Sequence, residues 1–219
     1  MKATTIPRIE DLQKGRYKMA SIIVISGAAG SGKGTLVKKL TADDEKYFVS
    51  RSVTTRAPRG DDIPGVSYHF TTREKFEEMI AADEFVEYAE YSGNYYGTPV
   101  LPIKKAIADG MNIILEIDTR GAIQIKKRFP EAILIWITPP DYANLERRLR
   151  SRGTNTESDI LKRLETAKKE LALLNEYDYV VVNRDGEADK AVEEIRSIIT
   201  AEELSVKRNR SFPENFYNN

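Results

Sequence analysis

Four short apolar runs recur along the chain and predict a buried β-sheet. Each run is continuous in apolar residues rather than alternating in polarity, which is typical of strands that are covered on both faces. The runs are Ser21–Ile25, Met111–Ile117, Ala132–Ile137 and Tyr179–Val182. We therefore expect a sheet core with helices packed on both of its faces.

Segments with helical periodicity separate these runs. They are Gly34–Leu40, Pro99–Asp109, Asp141–Arg150 and Thr156–Leu174. Gly110 follows the second segment as a C′ glycine, and Thr156 with Asp159 forms a candidate capping box at the start of the fourth. Strands that alternate with helices imply right-handed crossovers, so the pattern predicts an α/β fold with a largely parallel sheet.

One stretch, Val49–Gly97, departs from this alternation. It contains aromatic-rich segments of alternating polarity, a short helix over roughly residues 72–82, and a turn at residues 92–94. Hairpin-like β-structure inserted into an α/β core predicts a separate lobe, which we expect to bind substrate. A second insertion, Arg147–Arg163, is rich in arginine.

These changes in pattern predict one main domain with an extension at each end. We expect an N-terminal extension at residues 1–19, the domain at 20–203 and a C-terminal tail at 204–219. Within the domain, we expect the core at 20–50, 99–146 and 165–203, the inserted lobe at 51–98 and a small helical lid at 147–164.

Composition narrows the chemistry that is available. The 219 residues include no cysteine, which excludes a disulfide scaffold, a cysteine-ligated zinc site and a thiolate nucleophile. His69 is the single histidine, so a two-histidine metal site and a Ser-His-Asp triad are disfavoured as well. Lysine, arginine, carboxylate and hydroxyl groups remain as the candidates for chemistry.

Charge and hydropathy point away from nucleic acid and membranes. Lys and Arg total 34, and Asp and Glu also total 34, so the chain lacks the basic excess that binds a polyanion. No apolar run approaches the roughly 20 residues that span a bilayer, and the N-terminus lacks the apolar region of a signal peptide. We expect a cytoplasmic protein that binds neither nucleic acid nor membrane, as a monomer or a homodimer.

The strongest motif is a phosphate-binding P-loop between the first apolar run and a helix. Its residues are Gly27, Ala28, Ala29, Gly30, Ser31, Gly32, Lys33, Gly34 and Thr35. Glycines let backbone N–H groups converge on phosphate oxygens, and Lys33 can reach the β- and γ-phosphates. The alternative, a glycine-rich turn that binds nothing, is disfavoured by the strand-loop-helix context. Gly34 stands where serine or threonine is usual, so a hydroxyl ligand for Mg²⁺ would come from Thr35 or be replaced by water.

Further candidate residues lie downstream of the P-loop. Arg56 and Arg59 flank Pro58, and two guanidinium groups so spaced can grip a phosphate. Glu116 and Asp118 lie at the end of a buried strand, where we expect their carboxylates on opposite faces and beside the P-loop. These motifs separate a nucleotide kinase from other P-loop proteins better than the loop alone.

Together the motifs resemble the guanylate kinase family of nucleoside-monophosphate kinases. The matching pieces are the P-loop, SVTTRAPR at Ser52–Arg59, Gly65–Tyr68 with its spacing to Glu87, SGNYYGT at Ser92–Thr98, Ile114–Asp118, Arg152–Thr154 and Val181–Asn183. The resemblance implies a P-loop kinase fold: a parallel sheet core with helices on both faces, a β-rich GMP-binding lobe and a small helical lid. It also implies ATP-dependent phosphorylation of GMP, and of dGMP, to the diphosphate in purine nucleotide metabolism. The implied cofactor is Mg²⁺, bound with ATP.

The resemblance also assigns residues to GMP. The phosphate of GMP would be held by Arg56, Arg59, Tyr68 and Tyr96. Glu87 would accept from N1–H and N2–H₂ of guanine, because a carboxylate suits these donors, while Ser52, Gly97 and Thr98 would border the remaining edge. Glu116 and Asp118 would help to place the base or Mg²⁺. Adenine has no donor at N1 and would leave Glu87 unpaired, a mismatch that binding sites reject strongly.

A second group of residues is implied for ATP and for catalysis. The implied catalytic residues are Lys33, Arg56, Arg148, Arg152 and Arg163. Of these, Arg148, Arg152 and Arg163 would close over the triphosphate and neutralise charge on the transferred group. Asn183 would border the adenine. No direct protein ligand for Mg²⁺ is implied, and contact through water from Thr35 or Asp118 stays open.

Structural roles are the alternatives for several of these residues. Tyr68 and Tyr96 could be core aromatics, Glu87 could lie on a solvated strand face, and Arg148 and Arg163 could form exposed salt bridges. Two other functions also stay open. A kinase for a different nucleoside monophosphate is disfavoured by Glu87 with Ser52, and a protein-binding module of the same fold is disfavoured by the intact P-loop.

Overall fold

The computed structural model describes residues 20–42, 44–60, 62–91, 93–151 and 156–209. The expected N-terminal extension, Arg152 with the loop at 153–155, and the tail from residue 210 onward lie outside these ranges. The first half of the chain contains β1 (Ile22–Ser26), α1 (Lys33–Leu40), β2 (Tyr47–Ser50), β3 (Val53–Thr54), β4 (His69–Phe70), α2 (Arg73–Ala81), β5 (Phe85–Tyr91) and β6 (Asn94–Pro99). The second half contains α3 (Val100–Ala108), β7 (Asn112–Glu116), α4 (Thr119–Arg128), β8 (Ile133–Thr138), α5 (Tyr142–Ser151), α6 (Glu157–Leu171), a 3-10 turn (Leu174–Glu176), β9 (Tyr179–Val182) and α7 (Ala188–Leu204).

A five-stranded parallel sheet forms the centre of the fold. Its strand order is β2-β7-β1-β8-β9, and every pairing in it is parallel. Strand β1 lies in the middle, where Val24 is paired with Leu115 on one side and Leu134 on the other. The predicted α/β fold with a parallel sheet is therefore confirmed.

Helices cover both faces of this sheet. On one face, Ile103 of α3 and Ile125 of α4 join Val24 in a single buried cluster. On the other face, Leu36 of α1 and Ile195 of α7 cluster with strand residues that include Ile23 and Ile135. Each fully buried aliphatic side chain stabilises the fold by about 1.5–3 kcal/mol, and this two-sided burial explains why the strand runs are continuously apolar. In the described part of the chain, no helix has the length and apolar character needed to cross a bilayer.

Helix ends and edge strands differ in how well the sequence predicts them. The capping box of Thr156 and Asp159 is present at the start of α6, and Gly110 takes a positive φ of 74° just after α3. Helix α6 ends at Leu171 rather than Leu174. Strand β2 has no predicted counterpart because its apolar run, Tyr47–Val49, has only three residues, all of them only partly buried. Helices α4 and α7 were not predicted either.

The stretch expected to form the inserted lobe contains a second, smaller sheet. Its strand order is β4-β3-β6-β5, with β6 antiparallel to both of its neighbours. Phe76 of α2 lies between Phe85 and Tyr95, at ring-centroid distances of 4.5 and 5.2 Å. Gly97 of β6 lies against the same rings, since a Cβ there would approach Phe85 to 2.8 Å. The small sheet thus has an aromatic core of its own.

Polar contacts tie the last helix to the first strand. The backbone N–H of Ser21 donates to Asn112 Oδ1 at 2.8 Å, and Asn112 Nδ2 donates to Glu203 Oε1 at 2.9 Å. Beyond α7, Arg208 donates to Ser21 Oγ at 3.2 Å and to Glu202 Oε2 at 3.3 Å. The turn at residues 205–209 therefore packs back against the start of β1.

The substitution Asn112→Ala should destabilise the protein. It leaves the N–H of buried Ser21 without its acceptor and removes the donor to Glu203, so we expect a loss of about 1–3 kcal/mol in the free energy of unfolding, measured by urea titration. The control is Asn144→Ala, which removes an exposed side-chain contact with Asp141 and should change stability by less than about 0.5 kcal/mol. Equal losses in the two variants would contradict this account of Asn112.

Candidate active site

The P-loop joins the carboxyl end of β1 to the start of α1. Its first glycine, Gly27, has a φ of 138°, and a Cβ there would lie 2.1 Å from the carbonyl oxygen of Ile137 on β8. Glycine is therefore required at this position both by backbone conformation and by the neighbouring strand. The loop lies at the carboxyl ends of the parallel strands, where open α/β sheets bind ligands.

Lys33 and Glu116 lie together beside the P-loop. Lys33 Nζ donates to the carbonyl oxygens of Gly27 at 2.6 Å and Ala28 at 3.1 Å. Burial raises the pKa of the Glu116 carboxyl, while the nearby charges of Lys33 and Arg51 oppose that rise. A Cβ on Gly34 would lie 3.4 Å from Glu116 Oε1, so the start of α1 is close to this carboxylate.

One cleft brings together predicted residues for both substrates, although fewer than half of all predicted site residues line it. The predicted residues that line it are Gly27, Ala29, Lys33, Ser52, Tyr68, Glu87, Tyr96, Glu116, Asp118 and Arg163. The prediction that Glu116 and Asp118 lie on opposite faces is wrong, because both line this cleft. Strand β7 ends at Glu116, and Asp118 instead caps α4 by accepting from the N–H of Gly121 at 2.9 Å.

Glu87 is a buried carboxylate that lines the same cleft as the P-loop residues. Glu87 is only 5% exposed, which excludes the alternative that it lies on a solvated face of the strand. Thr98 Oγ1 donates to Glu87 Oε1 at 2.5 Å. Burial, reinforced by the negative charge of Asp118, raises the pKa of Glu87 to about 7, although the bond from Thr98 opposes the rise. A carboxylate in this environment is suited to a ligand that donates N–H groups.

Arg56 lies on an aromatic surface beside the cleft and is paired with Asp62. Its guanidinium carbon is 5.3 Å from the ring centroid of Tyr68 and 5.7 Å from that of Phe70. Arg56 Nη1 is 2.9 Å from Asp62 Oδ2, and the same oxygen accepts the backbone N–H of Arg59 at 2.7 Å. These two arginines hold the pKa of the Asp62 carboxyl below its usual range. The sequence motifs do not identify Asp62 as a site residue, although an acidic residue three positions after Arg59 is a possible partner for the arginines.

Other predicted residues lie around Arg56 or in the first turn of α1. The side chain of Arg59 is exposed and does not line the cleft. Burial raises the pKa of the Tyr68 hydroxyl, and its ring contacts Tyr96 edge-on at a centroid distance of 5.9 Å. Gly34 and Thr35 are both exposed at the start of α1.

Arg148 lies beside the P-loop and not in the wall of the cleft. It donates to the carbonyl oxygen of Asn183 at 2.7 Å and to Asp185 Oδ1 at 2.7 Å, with a longer bond of 3.3 Å to the carbonyl of Ser31. Asn183 Nδ2 also donates to the Ser31 carbonyl, at 2.9 Å. Arg148 and Asn183 therefore brace the loop that contains Ser31, whereas Arg163 of α6 lines the cleft itself.

Two more cleft residues were not identified from the sequence. Glu170 follows Arg163 by two helical turns on α6, and Tyr91 ends strand β5; both line the cleft. Burial raises the pKa of Glu170 to about 7, opposed by the charge of Lys33 and reinforced by that of Asp118. The seven-residue spacing from Arg163 was the one signal that Glu170 shares its face of the helix.

The described residues contain no cluster of three or more His, Cys, Asp or Glu side chains arranged to hold a metal ion. The carboxylates of Glu116, Asp118 and Glu170 line the cleft, and the charge of Lys33 acts on Glu116 and Glu170. Oxygen ligands of this kind suit Mg²⁺, which usually keeps several waters and binds through substrate phosphates.

Comparisons with known proteins agree on one family. A family model described as guanylate kinase matches residues 19–202 of the chain. The guanylate kinase of Carboxydothermus hydrogenoformans is 46% identical over 187 residues, which cover 85% of this chain and 91% of that protein. The guanylate kinase of Halalkalibacterium halodurans matches with the same identity and the same coverage. The crystal structure of guanylate kinase from Anaplasma phagocytophilum aligns with a TM-score of 0.72 at 32% identity, covering 87% of this chain and 90% of that chain.

Glu87 should make stability depend on pH. Because its pKa is raised from 4.5 to about 7 in the folded protein, the folded state binds the proton more tightly than the unfolded state between these values. The free energy of unfolding should fall by up to about 1.4 kcal/mol per pH unit as pH rises through this range, and the loss should be complete above pH 7. Glu87→Gln should lack this component when both proteins are unfolded with urea from pH 5 to 8 without nucleotide.

The matched control for this prediction is Glu90→Gln, a change at an exposed position of the same strand. It should follow the wild-type pH profile. The prediction fails if wild type and Glu87→Gln have parallel profiles between pH 5 and 7.

Proposed function

The chain belongs to the guanylate kinase family, and we propose that its cleft binds GMP beside ATP with a defined role for each of the residues that line it. The activity is transfer of the γ-phosphoryl group of ATP to the phosphate of GMP, which gives ADP and GDP. One observation supports the proposal most strongly. A single cleft is lined both by Gly27, Ala29 and Lys33 of the P-loop and by the buried Glu87, which accepts a hydrogen bond from Thr98.

Glu87 is proposed to recognise guanine. Its carboxylate has little access to water, and its donors are the hydroxyl and the backbone N–H of Thr98, so it can still accept further hydrogen bonds. Guanine offers N1–H and N2–H₂ along one edge, which would satisfy both oxygens and favour the ionised form. Adenine offers no donor at N1, so binding it would leave the carboxylate buried and poorly paired. Ser52 and Thr98 would border the base at its other edge.

The phosphate of GMP is proposed to be held by two arginines and two tyrosines: Arg56, Arg59, Tyr68 and Tyr96. The Arg56 guanidinium already lies near the Tyr68 ring and is aligned by Asp62. Guanidinium groups bind phosphate through two parallel hydrogen bonds, and phenol hydroxyls add single donors. Arg59 is exposed and would turn inward to take part. The GMP phosphate is itself anionic, so the reaction needs no general base to create the nucleophile.

The P-loop is proposed to bind the phosphates of ATP. Backbone N–H groups of the loop and the N-terminus of α1 would contact the phosphate oxygens, with Lys33 following the charge of the transferred group. Arg163 would neutralise charge from the opposite wall, and Arg148 with Asn183 would brace the loop near the adenine. Mg²⁺ would enter with ATP, held by its phosphates and through water by Glu116 or Asp118, and would screen phosphate charge. The contribution of the chain is alignment, exclusion of water and stabilisation of charge.

The two alternative functions are not favoured. A protein-binding module would have no need for the tightly formed P-loop, and a kinase for an adenine or pyrimidine monophosphate would have no use for a buried carboxylate at the base. The test is steady-state kinetics with MgATP and GMP, dGMP, AMP, CMP or dTMP, followed by coupled release of ADP. A rate that does not depend on GMP would overturn the proposal.

Lys33→Ala should abolish turnover while leaving GMP affinity nearly unchanged. The lysine is placed to follow the moving phosphoryl charge, and its loss should lower kcat by at least about 100-fold. Coupled ADP release gives kcat, and isothermal calorimetry gives the dissociation constant of GMP. Lys46→Ala, at an exposed lysine away from the cleft, is the control and should retain the wild-type rate. A Lys33→Ala protein with normal kcat would contradict the role of this residue.

Asp62→Asn should weaken GMP specifically. The amide can still accept the N–H of Arg59, but the ion pair that aligns Arg56 is lost, so we expect the KM for GMP to rise about tenfold, equivalent to about 1.4 kcal/mol. The KM for ATP should stay within about twofold, since the P-loop is untouched. Glu78→Gln, which removes an exposed ion pair with Lys75, is the matched control. Equal increases in both KM values would argue against a local effect on the GMP phosphate.

A further inference from the structure

Strand β5 is the outer strand of the small sheet, and helix α4 lies along its free edge. Three side chains of α4, spaced four residues apart, donate to backbone carbonyl oxygens of this strand. Arg120 donates to Glu90 at 3.2 Å, Gln124 to Tyr88 at 2.8 Å, and Arg128 to Phe85 and Val86 at 3.0 Å each. Residues four apart share one face of a helix, so α4 supplies the strand edge with the partners that another strand would otherwise provide.

Arg128 binds β5 at a bulge. The pairing of β5 with β6 shifts register between Phe85 and Glu87, and the two carbonyls that Arg128 Nη1 contacts belong to Phe85 and Val86. A regular strand would turn successive side chains to opposite faces. Here three successive residues are buried: Phe85 in the aromatic core, Val86 in the core beneath the large sheet, and Glu87 in the cleft. Bulges re-aim side chains in this way and are common beside active sites.

The first turn of α4 also touches the carboxylate of Glu87. A Cβ on Gly121 would lie 2.6 Å from Glu87 Oε2, so the helix leaves room for that oxygen and for no side chain. The other oxygen, Glu87 Oε1, accepts the hydrogen bond from Thr98 Oγ1. Helix α4 is thus in contact with Glu87 at its start and with the backbone that precedes Glu87 at its end.

We propose that Arg128 is a positioning residue for base selectivity, because it stabilises the bulge that aims Glu87 into the cleft. The proposal rests on the proposed function, in which Glu87 recognises guanine. Arg128 does not line the cleft, and its nearest acidic partner is Asp83 at 4.0 Å, whose side chain is 81% exposed. Its strongest contacts are therefore the two carbonyls of the bulge, which are left without this donor when the side chain is shortened.

The test compares Arg128→Met with wild type on two substrates that differ at one group. GMP and inosine monophosphate both present N1–H and O6, but inosine monophosphate lacks the 2-amino group. With MgATP, Arg128→Met should raise the KM for GMP about tenfold and lower the GMP-to-inosine monophosphate ratio of kcat/KM about fivefold, while the KM for ATP stays unchanged. A purely structural loss of stability would lower activity on both substrates in proportion and leave that ratio alone.

The matched control is Arg208→Met. Arg208 also donates to a backbone carbonyl, that of Glu131, and is similarly half-buried, but it lies at the far end of the central sheet. It should lower thermal stability and keep the selectivity ratio. Arg128→Gln, which retains one amide donor for the bulge, serves if Arg128→Met does not fold. It should show a smaller fall in the ratio.

The outcomes separate this proposal from the proposed function. A wild-type protein that does not prefer GMP over inosine monophosphate and AMP would overturn the role of Glu87 itself. A GMP-selective wild type together with an unchanged ratio in the folded Arg128 variant overturns only the positioning role of Arg128. A fall in the ratio in the Arg128 variant, absent from Arg208→Met, supports it.

Discussion

The burial of one carboxylate, that of Glu87, is the constraint around which the cleft is built. Moving a carboxyl group out of water disfavours its charged form, and the hydroxyl and backbone N–H of Thr98 offset this cost only in part. The protein therefore holds an acceptor whose best remaining partners are N–H donors from a ligand. The bulge in β5, the glycine at position 121 and the close approach of α4 are all arranged around this group.

The parallel sheet explains why this acceptor lies opposite a phosphate loop. Because β1 and β7 run in the same direction, their carboxyl ends lie at one edge of the sheet, with Gly27 after one strand and Glu116 at the end of the other. In the sequence, the small sheet lies between β2 and β7. Its strand β5 packs on helix α4, which follows the carboxyl end of β7, so β5 lies near that same edge of the central sheet. The proposed base-recognition residue Glu87 and the P-loop can then share one cleft.

The sequence predicts structural features that depend on local residue patterns, but not those that depend on contacts between distant segments. Continuous apolar runs identify four of the five strands of the central sheet, three of which are almost fully buried, and the Thr156–Asp159 pair marks a helix start correctly. Strand β2 is missed because its apolar run, Tyr47–Val49, is only three residues long. Among candidate site residues, the P-loop and Glu87 are found by motif, whereas the partnership of Asp62 with Arg56 and the contact of Arg128 with β5 depend on how distant segments pack. The expectation for Glu116 and Asp118 was wrong because residues two apart on a strand point to the same face, not to opposite faces.

The contact between Gly27 and the carbonyl of Ile137 can form only late in the synthesis of the chain. The P-loop sequence leaves the ribosome early, but the strand that presses on its first glycine is β8, which is synthesised long afterwards. A nascent chain that has emerged only as far as α3 contains every residue of the loop and lacks the neighbour that shapes it. Pairings between strands so far apart in sequence are slow to form. A chain that ends before β8 therefore cannot form the contact that packs the first glycine of the P-loop against the central sheet.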